Sequence, residues 1–158
     1  MEQDSVIYLK LKDFEILLKS EVLENKLEST KVIFIENNES TLYPPLSVGV
    51  EIPYRAVFFP YMKDILKFRK VEELRLQDLF LTDLLDDFSQ LQGLKKLELC
   101  FSLSANNNVN HIINVLSKLK SLQELDLNHS RLTSENRALI KKELTKSGVT
   151  MNDWLFFD

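Results

Sequence analysis

Two histidines, His111 and His129, and one cysteine, Cys100, are the residues whose types could carry nucleophilic or metal-ion chemistry in this chain. They sit in separate segments, without the close spacing of a zinc site. A nucleophilic Cys100–His129 pair needs a cation or a helix N-terminus to lower the thiol pKa, and neither is visible beside Cys100 in the sequence. A packed thiol is the expectation. His111 lies on or near the apolar stripe of a helical segment, where an imidazole is ordinarily structural. The three glycines, Gly49, Gly93 and Gly148, are too scattered to cradle a phosphate. Asp86-Asp87 lacks the spacing of a calcium loop. These residues predict no catalysis, no metal and no cofactor.

Charge and length narrow the remaining classes. The 158 residues carry 20 Lys plus Arg against 24 Asp plus Glu, a net charge of −4. Phosphate-backbone binding needs clustered cations, so nucleic acid is disfavoured. The longest apolar run, Ala56 to Met62, falls far short of the roughly 20 residues of a membrane span. Met1-Glu2-Gln3-Asp4 is acidic where a secretory signal is basic, and one unpaired cysteine suits a reducing compartment, so a cytoplasmic location is expected. A chain this long suits one domain, residues 1–158, with enough apolar content (44%) for a core of its own.

A repeat must position whatever the surface offers. Leucine occurs 29 times, and 17 copies fall between Val71 and Leu132. The stretch aligns on itself as Val71-x-x-Leu74-x-Leu76-x-x-Leu79, Leu94-x-x-Leu97-x-Leu99-x-x-Ser102 and Leu122-x-x-Leu125-x-Leu127-x-x-Ser130. The offsets are 23 and 28 residues, the scale of a strand that turns and returns along a helix. Successive strands then lie parallel and bury leucines between them. The intervening segments read as helices. Thr82 can cap one carrying Leu84, Leu85, Phe88 and Leu91, stopped by Gly93. Asn106, Asn107 or Asn108 can cap a stripe of Val109, Ile112, Ile113, Leu116 and Leu119. Thr133 or Ser134 caps Glu135 to Lys146, closed by Gly148.

Through Leu94-Lys-Lys-Leu97-Glu-Leu99 and Leu122-Gln-Glu-Leu125-Asp-Leu127, the chain resembles the leucine-rich repeat family, in particular its longer, helix-bearing, ribonuclease-inhibitor-like type, over about residues 66–148. The resemblance implies an α/β fold: a short curved solenoid with a parallel β-sheet on the concave face and helices on the convex face. The family's ladder position, usually Asn or Cys, holds Leu79, Ser102 and Ser130 here. Serine can bond turn backbone and leucine cannot, so the turn at Leu79 should deviate.

The flanks are less regular. Val6-x-x-Leu9-x-Leu11-x-x-Phe14 fits the template loosely, Glu15 to Leu27 reads as a helix with Ile16, Leu17, Val22 and Leu23, and Lys31 to Ile35 reads as a strand. Residues 1–70 therefore form either a cap or irregular repeats. Glu36 to Tyr54, with Pro44-Pro45, reads as a loop with room for a short strand at Val48 to Ile52. Pro60 suits the first turn of a helix with Met62, Ile65, Leu66 and Phe68. Residues 71–148 are the repeats, and 149–158 a cap in which Val149-Thr-Met151 is a last strand covered by Trp154, Leu155, Phe156 and Phe157.

Residues between the leucines should face the concave side: Glu73, Arg75, Gln77 and Asp78; Lys96, Glu98, Cys100 and Phe101; Glu124, Asp126, Asn128 and His129; and, from the early unit, Tyr8, Lys10, Lys12 and Asp13. Of these, Arg75, Gln77, Glu98, Phe101, Glu124, Asp126, Asn128 and His129 are the candidate partner-binding set, with Phe101 and His129 at equivalent positions as a hot spot rimmed by carboxylates. The other reading of Phe101 folds it over the turn onto Leu103. The function expected is a non-catalytic, monomeric module that docks a protein partner, a basic one, on its concave sheet; an inhibitor or immunity-type protein is the concrete form. The alternative is an assembly subunit associating through its aromatic tail or a sheet edge.

Overall fold

A computed structural model describes residues 5–38, 57–127 and 129–152. Six strands, β1 (Val6–Lys10), β2 (Val32–Glu36), β3 (Glu73–Leu81), β4 (Lys96–Phe101), β5 (Glu124–Asp126) and β6 (Thr150–Asn152), form one open sheet in the order of the sequence. Every neighbouring pair is parallel. Ile7, Ile33, Leu74, Leu97, Leu125 and Met151 stand in register across all six strands, each at most 7% exposed. Burying side chains of this size contributes roughly 1.5–3 kcal/mol apiece, so this single row sets the register of the whole slab. This is the leucine-rich-repeat-like α/β solenoid that the sequence predicts.

The helices lie on the buried side of the sheet. Among the described residues they are α1 (Leu11–Leu18), α2 (Leu23–Ser29), α3 (Met62–Ile65), α4 (Val109–Ser117) and α5 (Ser134–Thr145). They contribute Leu11, Phe14, Met62, Ile65, Ile112, Val115, Leu116, Ile140 and Leu144 to the core. The Oγ1 of Thr133 accepts from the Asn136 N–H at 3.1 Å, the cap expected for α5. Gly148 ends that helix at φ 82°, a left-handed conformation that lets the Val149 N–H reach back to the Leu144 carbonyl.

Three local expectations are corrected. The segment after β3 is not an α-helix capped by Thr82: Asp86–Gln90 is a short 3₁₀ helix, and the Asp83 carboxylate accepts from the Leu84 N–H instead. The reason is length. Because β3 runs on to Leu81 and β4 begins at Lys96, few residues remain for the return, and 3₁₀ backbone covers about 2.0 Å per residue against about 1.5 Å for α. The predicted helix from Glu15 to Leu27 is divided at Lys19–Ser20 by tight i to i+3 bonds, so Ile16 and Val22 are exposed (66% and 52%) and Leu11 and Phe14 are buried. The early strand is also shifted by two residues from its template, with Ile7 and Leu9 in the leucine positions, so Lys12 and Asp13 belong to α1 and not to the sheet face.

Of the ladder residues, Ser130 bonds backbone as expected, while the Ser102 hydroxyl pairs with that of Ser104 at 2.9 Å. Ser130 Oγ accepts from the Phe101 N–H at 2.9 Å and donates to the Leu99 carbonyl at 3.3 Å. Asn38 Oδ1, at the same position after β2, accepts from the Lys12 N–H of the preceding unit at 2.8 Å. At Leu79 the turn does deviate: β3 bulges between Arg75 and Phe80 with Asp78 at φ 55°, and Leu79 drops fully into the core. The possible strand at Val48 to Ile52 and the Trp154–Phe157 tail lie outside the described residues.

Candidate functional site

Because side chains alternate along each strand, the residues between the core positions face away from the helices. Register assigns them to rows. Val6, Val32, Glu73, Lys96, Glu124 and Thr150 form one; Tyr8, Phe34, Arg75, Glu98, Asp126 and Asn152 form the next; Lys10, Glu36 and Gln77 begin a third. Five of the predicted residues, Arg75, Gln77, Glu98, Glu124 and Asp126, thus share one face. Asn128 lies outside the described residues. His129 is exposed at φ 65° in the turn after β5, beyond the end of the rows.

Phe101 is the principal correction. It is fully buried in the core and so offers nothing to a partner, while Leu103, the packing partner in the other reading, is 67% exposed. Phe101 follows Leu97 and Leu99 at period two and so lies on the core side, while the alternation breaks at Cys100, which is buried as well. The bulge of β3 causes this: Cys100 and Phe101 pair with Phe80 and Leu81, not with the residues that follow Arg75 in step. Phe101 is core and His129 is exposed, so the two do not form one site. Arg131, whose N–H bonds the Phe101 carbonyl at 2.8 Å, lies beside that strand end. Cys100 is likewise removed from the face, with its Sγ 3.6 Å from the Leu76 carbonyl oxygen. Burial pushes its thiol up to about 12, so it is protonated at neutral pH and is no nucleophile.

Electrostatics divide the face. Arg75 donates to Glu73 (2.9 Å) and to Glu98 (3.3 Å), bridging two strands. The Glu98 side chain is only 13% exposed; burial first, and then the Asp126 carboxylate opposite, raises its pKa, against the pull of Arg75. On β3 to β6 the four carboxylates of Glu73, Glu98, Glu124 and Asp126 outnumber Arg75 and Lys96. On β1 and β2 the character is apolar. Tyr8 and Phe34 stack with centroids 4.6 Å apart and planes 12° from parallel, and Val6 and Val32 lie alongside. Tyr8 is 62% and Val6 40% exposed. The Glu36 carboxylate raises the Tyr8 phenol pKa, and the Tyr8 hydroxyl together with Lys10 at 3.1 Å holds the Glu36 carboxyl low.

Sequence reasoning missed Val32, Phe34 and Glu36. The signal was present, because Ile33-x-Ile35-x-x-Asn38 fits the repeat template with asparagine at the ladder position.

A second feature lies at the far end of β3. A cleft of about 620 Å³ is lined by Phe58, Met62, Lys63, Leu84 and Leu85, among others, with His111 at its edge. His111 is pinned between two carboxylates, Nδ1 to Asp83 at 2.7 Å and Nε2 to Asp86 at 2.6 Å. Both ring nitrogens must donate, so the imidazolium is favoured. Asp86 and then Asp83 raise the His111 pKa, and His111 lowers that of Asp86. The clamp ties α4 to the preceding repeat. A histidine with a raised folded pKa stabilises fully below its ordinary value of 6.5 and loses that stabilisation as pH rises through the folded value. The lowered Asp86 contributes above its ordinary 3.8 and loses this as pH falls. Thermal melts should therefore show the deficit of His111→Ala largest between about pH 4 and 6.5, and smaller at pH 9 and at pH 2.5. A deficit independent of pH would show the clamp to be packing alone.

Among the described residues, no group of three His, Cys, Asp or Glu side chains could hold a metal ion, and no helix is long and apolar enough to cross a membrane.

No family profile matches the chain, and no curated protein matches it in sequence. Among solved structures it is similar to a leucine-rich-repeat protein of Leptospira interrogans, with 19% identity and a TM-score of 0.49 over 85% of this chain. The match spans 28% of that protein's length.

Proposed function

We propose that the protein is a non-catalytic binding module that docks a basic protein partner on the helix-free face of its sheet. The observation that carries this reading is the net negative charge of the face on β3 to β6, where Glu124 is exposed and Asp126 half-exposed beside the largely buried Glu98. Complementary charge steers association and suppresses wrong partners. The buried, protonated Cys100 and the carboxylate-locked His111 support a non-catalytic role. The concrete form is an inhibitor or immunity-type protein that covers a partner's basic cleft, acting as a cytoplasmic monomer. The repeats are read as the longer, ribonuclease-inhibitor-like type, on the helix-bearing unit between β4 and β5.

Charge reversal tests it. The double variant Glu124→Lys/Asp126→Lys should weaken capture of the partner from the native host at least tenfold at low salt, and the loss should shrink as salt rises. Unchanged capture would move the docking site off this face. Light scattering over a concentration series separates the assembly alternative, which requires association with copies of itself.

A further inference from the structure

The apolar end of the face says more about the partner than its acidic end does. Tyr8 and Val6 are exposed, yet Tyr8 is not a loose side chain: its ring is stacked on Phe34, with centroids 4.6 Å apart. A rigid, exposed aromatic loses little conformational freedom on docking, which is the property of an anchor site. Chemistry then changes stepwise along a single row, from Tyr8 and Phe34, through Arg75 already engaged by Glu73 and Glu98, to Asp126. Lys10 and Glu36 pair with each other, so the β1–β2 end carries no net charge; Glu73 and Arg75 balance on β3, Lys96 and Glu98 on β4, and the excess carboxylates are Glu124 and Asp126 on β5.

Resting on the docking reading above, we propose that the occupant is a basic protein segment with two spaced elements: an aromatic or branched apolar side chain on the Val6–Tyr8–Val32–Phe34 patch, and Lys or Arg side chains over Glu124 and Asp126. Parallel strands lie about 4.8 Å apart, so three strand spacings separate the two subsites by about 14 Å. An extended segment spans that in about four residues and a helix in about ten. The apolar patch fixes the orientation of the segment, and the carboxylates select its charge.

The test uses the full chain and random twelve-residue peptides displayed on phage, with the selected sequences remade as synthetic peptides and measured by fluorescence anisotropy. The expected result is enrichment of peptides that combine Lys or Arg with an aromatic or branched residue. Binding should weaken tenfold or more with Tyr8→Ser and, separately, with Asp126→Lys, and only the second loss should fade at high salt. Thermal melts accompany each variant, and Tyr8→Ser, which removes one exposed cross-strand stack, should lower the Tm by no more than about 4 °C and leave the chain folded. Selected peptides sensitive to Asp126→Lys but indifferent to Tyr8→Ser overturn this inference and leave the docking reading standing. Peptides indifferent to both, or acidic ones, overturn both. Failure to enrich any peptide overturns the inference, as does concentration-dependent self-association abolished by Tyr8→Ser, which would make a second copy the occupant.

Discussion

Phe101→Ala is expected to lower stability by about 3–5 kcal/mol, the usual cost of emptying a buried phenylalanine site. For a chain of this size that is a fall in Tm of roughly 8–16 °C. The ring is 0% exposed and stands at the end of β4, where its backbone N–H is held by Ser130 and its carbonyl by Arg131. The bulge of β3 brings Leu81 into register beside it. Those neighbours are fixed by the sheet, so the cavity cannot easily collapse and the loss belongs at the upper part of the range. A thermal melt checks this directly. A variant that melts like the wild type yet loses its partner would return Phe101 to the surface role first read from the sequence.

The second large effect should come from Arg75→Ala. Its guanidinium is shared by Glu73 and Glu98, and the Glu98 carboxylate is mostly buried and faces Asp126. Removing the cation leaves two carboxylates uncompensated, a loss of about 1–2 kcal/mol once the partial exposure of Arg75 is discounted. The sign with pH is specific. Burial and Asp126 already raise the Glu98 pKa, and loss of Arg75 raises it further. Ionised Glu98 then opposes folding above that raised value, so the deficit is full at pH 7 and shrinks as pH falls and the carboxyl takes up its proton. Denaturant titrations at pH 7 and pH 4 test it, with Arg75→Lys intermediate because it keeps the charge and loses the fork. Equal deficits at the two pH values would mean that Arg75 acts through its aliphatic stem alone.

Much of the architecture was legible in the residues because one row of leucines repeats with period two inside units of similar length. That pattern predicts parallel rungs, and it placed Arg75, Glu98, Glu124 and Asp126 on a common face correctly. The tight turn at Gly148 and the Thr133 cap were equally local and equally readable. What escaped was set by the spacing between rungs. The short return from β3 to β4 takes 3₁₀ backbone, and β3 bulges at Leu79, so Cys100, which alternation would expose, is buried. Phe101 follows Leu97 and Leu99 at period two, and its core position was open to a stricter reading of the strand.

The amino-acid sequence by itself determined the repeat, the parallel order it imposes and the acidic character of the face between the leucines, since each follows from side-chain period and charge along a single strand. The tertiary structure alone decided that Cys100 is core and that Tyr8 and Phe34 are stacked neighbours on the surface. Those outcomes depend on which residues of two strands, 26 positions apart for Tyr8 and Phe34, come to lie side by side, and register across a sheet is a property of the pair and not of either strand.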